Sequence, residues 1–122
     1  MPPSTSDGRA GVGTVARMRR GERIIETITG WDGITTSTGR FAETEFHVGG
    51  RMIGHVHGDV QADIPYPRSL RDELVAAGRA EPHHIHPDSG WITRYIRSDD
   101  DADDVVELIR INYDRVTQRA RD

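Results

Sequence analysis

The chain contains no cysteine. That excludes disulfides, thiolate nucleophiles, cysteine-based zinc sites and iron–sulfur clusters. It contains no lysine either, because all 16 basic residues are arginine. A Schiff-base lysine and a phosphate-loop lysine are therefore excluded, and any cofactor is held without a Lys or Cys linkage. No apolar run approaches the roughly 20 residues of a membrane-spanning helix. The opening Met-Pro-Pro-Ser-Thr-Ser-Asp-Gly lacks the apolar segment of a secretory signal. The expectation is a soluble, cytoplasmic protein with no membrane partner.

What remains is 122 residues, 34% hydrophobic and 30% charged, enough for one domain around one modest core. Residues 1–13 are rich in Pro, Ser, Gly and charge, and read as a disordered N-terminal tail. Residues 14–122 read as a single domain. The net charge of −4 disfavours bulk attraction to nucleic acid, but its distribution is uneven. Arg9, Arg17, Arg19, Arg20 and Arg23 make the start basic, and Asp99, Asp100, Asp101, Asp103 and Asp104 make a later stretch acidic. The arginines suit either a nucleic-acid arm or a solvated tail running into a helix face. The aspartates lack the spacing of a calcium loop and sit where a helix starts, so they read as capping and dipole-compensating charges.

Periodicity predicts a helix over residues 14–29, firmest over 22–29, with Gly21 a weak point and Gly30 a stop. A Thr/Ser-rich strand ending near Ser37 follows, then a turn at Thr38-Gly39-Arg40. Residues 43–48 and 51–57 are paired as a hairpin about Gly49-Gly50, whose glycines supply positive φ. An unbroken two-residue hairpin sets Val48 against Arg51, Phe46 against Ile53 and Thr44 against His55. It then turns His55 and His57 inward, on the face of Phe46 and Ile53, whereas a one-residue bulge reverses them. A short strand precedes Pro67, the expected first residue of a helix running to Ala77 and closed by Gly78. Residues 91–96 read as a central strand. Asp99 or Asp100 is expected to cap a helix over 101–118 whose buried stripe is Val105, Leu108, Ile109, Asn112, Tyr113 and Val116. The resulting fold is α+β: a small antiparallel or mixed sheet of four to five strands covered by three helices on one face.

Five of the six histidines lie in two short segments, Gly54-His55-Val56-His57-Gly58-Asp59 and Pro82-His83-His84-Ile85-His86-Pro87-Asp88-Ser89-Gly90-Trp91. Spacing of i, i+2 puts paired imidazoles on one face of a strand, and imidazole serves as metal ligand, proton carrier or hydrogen-bonding group. If the segments converge, His55, His57 and His84 become metal-ligand candidates, with Asp59, Asp63 or Asp88 completing the shell. The alternative is hydrogen-bonded histidines lining a core edge or dry pocket. A relay of Ser89, His84 or His57, and Asp63 is chemically available. No Gly-x-Ser-x-Gly elbow accompanies it, and Pro87-Asp88-Ser89-Gly90 reads as an ordinary turn. Arg68 and Arg71, in the first turns of the middle helix, read either as an anion pocket or as surface arginines. Trp91 reads as core or pocket wall.

Taken together, Gly54-His55-Val56-His57-Gly58-Asp59, Ala62-Asp63-Ile64-Pro65-Tyr66-Pro67, Arg71-Asp72-Glu73-Leu74-Val75, Gly78 to His84, Pro87 to Thr93 and Leu108 to Tyr113 resemble a bacterial and fungal family known as the luciferase domain, of unknown function. The strand Gly-Trp-Ile-Thr followed by an acidic-capped helix ending in Asn-Tyr is also similar to YjbR-like, double-wing α+β domains. That resemblance implies the same fold and, by analogy alone, a nucleic-acid-binding or protein-interaction module. His86 stands where the resemblance implies an apolar residue, leaving His55, His57, His83 and His84 as the better site candidates. The expected function is small-molecule binding in a His/Asp-lined pocket with acid/base chemistry. His55, His57, His84 and Asp88 are the catalytic candidates. Asp59, Asp63, Arg68, His83, Ser89 and Trp91 are the ligand-binding ones.

Overall fold

The computed structural model describes residues 18–121. In chain order the elements are helix α1 (Arg20–Thr29), strands β1 (Thr35–Thr38), β2 (Thr44–Val48), β3 (Arg51–His57) and β4 (Gln61–Pro65), helix α2 (Arg68–Ala76), strands β5 (Glu81–Pro82) and β6 (Trp91–Tyr95), and helix α3 (Asp99–Arg121). The strands form one sheet in the order β1-β2-β3-β4-β6-β5, antiparallel at every pairing. The sheet has six strands rather than four to five, because Glu81 and Pro82 pair with Thr93 and Ile92 in a segment that reads as loop. With that edge in place, β6 is a central strand, as its two partly apolar faces suggested.

One face of the sheet carries the core. Phe46, Val48, Val56, Ala62, Ile64 and Ile92 pack with Ile24 and Ile28 of α1, Leu74 of α2, and Ala102, Val105, Leu108, Ile109, Tyr113 and Val116 of α3. The α3 stripe read from the 3.6-residue period is thus the buried one. Three boundaries move. Helix α1 begins at Arg20, and the earlier residues expected to be tail or helix, 1–17, lie outside the described residues. Pro67 is the residue before α2, not its first. The cap of α3 is Ser98, whose Oγ accepts the Asp101 N–H at 3.1 Å, while Asp99 and Asp100 lie inside the first turn and oppose the helix dipole.

The basic start and the acidic stretch meet. Arg20 reaches Asp99 at 3.1 Å, Arg23 reaches Asp103 at 3.2 Å, and Arg19 reaches Asp59 at 3.5 Å. These exposed pairs stabilise by about 0.2–1 kcal/mol each; the first two dock α1 on the start of α3 and the third ties it to the β3–β4 turn. The same docking explains Gly21, which is buried in α1 rather than breaking it. A Cβ there would lie 2.2 Å from the Gly58 carbonyl oxygen, and the Gly21 N–H donates to Asp59 at 2.8 Å. Gly21→Ala is therefore expected to destabilise by about 1–3 kcal/mol, read from urea unfolding. An unchanged midpoint would show that α1 does not rest on the β3–β4 turn.

The hairpin register is where the inward expectation for the histidines fails. Gly49 and Gly50 adopt φ of 58° and 77°, and Val48 faces Arg51 as read. Beyond His47↔Met52 the register shifts, and Phe46 faces Gly54, Glu45 faces His55 and Thr44 faces Val56. Ile53 has no partner of its own, which makes it the extra residue of a bulge. Ile53 and Gly54 are both buried, so the alternation restarts one residue out of phase. Val56 enters the core, and His55 and His57 turn to the opposite face. The Ile53 carbonyl, released from the ladder, accepts from Asn112 Nδ2 at 3.0 Å, and the same amide donates to the Pro65 carbonyl at 2.8 Å.

Candidate functional site

The face turned away from the helices holds a histidine cluster built around one carboxylate. Asp63 is 1% exposed and sits on β4 directly across from His55 on β3 and Thr93 on β6. Its Oδ2 lies 3.1 Å from Nε2 of His55 and 3.1 Å from Nε2 of His57. Its Oδ1 accepts the Thr93 hydroxyl at 2.7 Å and lies 3.7 Å from Nε2 of His83. Burial pushes the Asp63 carboxyl up. Hydrogen bonds from His55 and Thr93 and the positive potential of His55 and His83 outweigh it, and the net result is lowered to about 2. Asp63 is therefore an anion at neutral pH, and each neighbour turns a hydrogen towards it.

That anion orders the imidazoles. His83 Nδ1 accepts the backbone N–H groups of Ile85 and His86, each at 3.1 Å. Its hydrogen must then sit on Nε2, facing Asp63. Burial, with the nearby imidazoles of His84, His86 and His55, lowers its pKa against the opposing pull of Asp63. Nδ1 of His84 lies 3.3 Å from the Thr93 hydroxyl. Because that hydroxyl spends its hydrogen on Asp63, it accepts from His84 and leaves His84 Nε2 as a lone pair. His55 donates Nε2–H to Asp63, and its Nδ1 is buried with no hydrogen-bond partner among the described residues.

A cavity of about 350 Å³ opens over this cluster, lined by Phe41, Glu43, His55, His57, Asp63, His83, His84, Ile85, His86 and Trp91. Trp91 lies beside His55 with ring centroids 5.4 Å apart. Phe41 and Ile85 are 74% and 65% exposed, two large apolar side chains held in water at the edge of a polar floor. Glu43, 7% exposed, accepts the Phe41 N–H at 2.9 Å. Its own backbone N–H lowers its pKa, burial works against this, and the Phe41 amide adds to the lowering.

Of the residues singled out in the sequence, His55, His57, Asp63, His83, His84 and Trp91 come together in this cavity. The others lie elsewhere. Asp59 accepts the N–H of Gly21. Arg68 is exposed at the start of α2, and Asp88 is exposed in its turn. Ser89 Oγ donates to the His86 carbonyl at 2.7 Å and accepts the Trp91 N–H. Arg71 is engaged by Asp72 and the Pro87 carbonyl. Five participants were not singled out in the sequence: Ile85 of the His-rich loop, Gln61, whose Nε2 donates to Asp63 at 3.3 Å, Thr93, Phe41 and Glu43. Thr93 shares the strand face of Trp91 by period-two alternation, a signal present in the sequence. Phe41 and Glu43 come from the β1–β2 connection, where Ala42 adopts a φ of 66° with nothing in its residue type to announce it.

An antiparallel sheet with its core on one face and an imidazole–carboxylate cavity on the other defines an α+β protein whose polar site is built from strands and one loop. A family model described as the luciferase domain matches residues 50–112, more than half of the chain, and the chain belongs to that family. The match takes in every cavity residue except Phe41 and Glu43. No curated protein and no solved structure matches the chain. No helix among the described residues is long and apolar enough to cross a membrane.

Proposed function

We propose that this domain binds a small organic molecule in the His/Asp cavity and acts on it by acid/base chemistry. The observation that carries the reading is the buried carboxylate of Asp63, which orients His55 and His57 directly and His84 through Thr93. Buried acid–imidazole constellations in a cleft are typical of reactive sites. In this reading His84 is the base, since its Nε2 lone pair is set by the hydrogen bond that Nδ1 makes to Thr93. Trp91, Phe41 and Ile85 hold the apolar body of the ligand, and the polar floor receives a group with an exchangeable hydrogen. The described arginines of the basic start, Arg19, Arg20 and Arg23, are paired with Asp59, Asp99 and Asp103, so they do not favour nucleic-acid binding.

The test is a ligand-observed NMR screen of a small-molecule fragment panel on the wild type and on His57→Ala and His84→Ala. Both variants are expected to keep the wild-type circular dichroism and to lose fragment binding. Binding unchanged in both folded variants would sink the reading. Unfolding of both would make these histidines structural.

A further inference from the structure

The same cavity floor also presents a set of metal donors. We propose that His55, His57 and Asp63 bind a divalent transition-metal ion of the zinc type. One donor atom from each of the three lies within 4.8 Å of the others. The imidazole rings stand perpendicular with centroids 4.9 Å apart. Two imidazole nitrogens and a carboxylate oxygen suit borderline divalent ions such as Zn²⁺, Co²⁺ or Fe²⁺. Three protein ligands leave coordination positions open, the pattern of a reactive rather than a purely structural ion.

Hydrogen bonding selects these ligands from the five clustered histidines. A ring that binds metal through Nε2 must carry its hydrogen on Nδ1. His83 cannot, because its Nδ1 accepts two backbone N–H groups. Its Nε2 faces Asp63 at 3.7 Å, an electrostatic neighbour of the carboxylate. Asp63, His83 and His84 also bring donor atoms within 4.8 Å of one another, but His84 Nδ1, the nitrogen facing the cluster, is engaged by the Thr93 hydroxyl. No N–H among the described residues donates to Nδ1 of His55 or His57, and His55 Nδ1 is a buried nitrogen without a partner. Without an ion both rings turn Nε2–H to Asp63; an ion takes those nitrogens with the hydrogen moved to Nδ1, where no donor opposes the shift.

Placement supports the same assignment. His55 and His57 stand two residues apart on β3, and Asp63 is the cross-strand partner of His55. All three donors ride on paired strands, which hold geometry better than loops. Glu43, buried in the same wall, adds a second negative charge near the ion. The ion goes beyond the small-molecule reading and does not depend on it.

The experiment uses the tag-free full chain stripped with a chelator, titrated with Zn²⁺ alone by calorimetry and with Co²⁺ by visible absorption. The expected result is saturable binding of about one ion per chain, with intensified Co²⁺ ligand-field bands of a low-coordinate site. His57→Ala and Asp63→Asn should weaken Zn²⁺ binding by ~100-fold or more, with His84→Ala and His86→Ala near wild type. Circular dichroism checks folding, and His57→Gln replaces His57→Ala if the latter unfolds. Absence of saturable Zn²⁺ and Co²⁺ binding by the wild type overturns the proposal. So does binding that survives the His57 substitution but is lost with His84→Ala, which places the ion on the loop. Fragment binding by a wild type that takes up neither Zn²⁺ nor Co²⁺ would overturn the metal site while leaving the small-molecule pocket standing.

Discussion

Asp63→Ala is expected to lower the stability of the metal-free protein by about 3–5 kcal/mol, because it removes the one anion that a group of buried donors shares. Thr93, His55, His57 and His83 all direct hydrogens at this carboxylate. In its absence those groups face one another across a site 1% exposed at its centre. Each unsatisfied polar group costs about 1–3 kcal/mol, and partial hydration through the cavity keeps the sum below the full total. The sign of the pH dependence follows from the depressed pKa. A carboxyl that titrates at 3.8 when unfolded and about 2 when folded contributes stability above the first value and loses it as pH falls through the second. The difference between wild type and Asp63→Ala should therefore narrow between pH 3.8 and about 2. Urea unfolding at several pH values measures this. A loss under about 1 kcal/mol at neutral pH would mean that the imidazoles and Thr93 find other partners and that Asp63 does not organise the site.

Asn112→Ala should cost about 2–4 kcal/mol, the sum of a small cavity and two orphaned carbonyls, and its effect should reach the histidines on the far face of the sheet. Asn112 is 1% exposed on the core side. Its amide holds the Ile53 and Pro65 carbonyls, and its Oδ1 accepts from Arg115 Nη2 at 2.9 Å. Ile53 is the bulged residue whose extra length turns His55 and His57 away from the core. Without Asn112 that carbonyl has no partner in the ladder, and the bulge loses the bond that stabilises it. Histidine resonances of His55 and His57 should therefore shift more than in Val105→Ala, a core truncation on the same helix that removes no hydrogen bond to the bulge. Equal shifts in both variants, or a stability loss under about 1 kcal/mol, would show that the bulge stands without Asn112.

Much of the fold was legible in the residues. The α3 stripe from Val105 to Val116, the Gly49-Gly50 turn, the Gly78 stop and the alternation of β6 are local patterns of period 3.6 or 2, and local sterics enforce them. The candidate site was legible in its membership. His55, His57, Asp63, His83, His84 and Trp91 all stand out by residue type and spacing, and all line the cavity. The luciferase-domain resemblance, carried by the same segments, was legible as well.

Orientation was not legible. Whether His55 and His57 face the core depends on whether Ile53 is in register or bulged, and the residues from 43 to 57 are compatible with both. The decision comes from Asn112, 59 residues away, which satisfies the bulged carbonyl. Nor could residue order say that Asp63 would stand between His55 and Thr93, that Phe41 and Glu43 would arrive from a turn with a left-handed alanine, or that Asp59, Arg68, Asp88 and Ser89 would point elsewhere. The sequence alone therefore determined the elements, the apolar stripes and the set of chemically capable side chains, because these depend on neighbours a few residues apart. Only the tertiary structure decided the sheet face of the histidines, the backbone groups that fix His83 and the carboxylate they surround. Those outcomes depend on cross-strand register and on buried hydrogen bonds between distant residues, which no local pattern encodes.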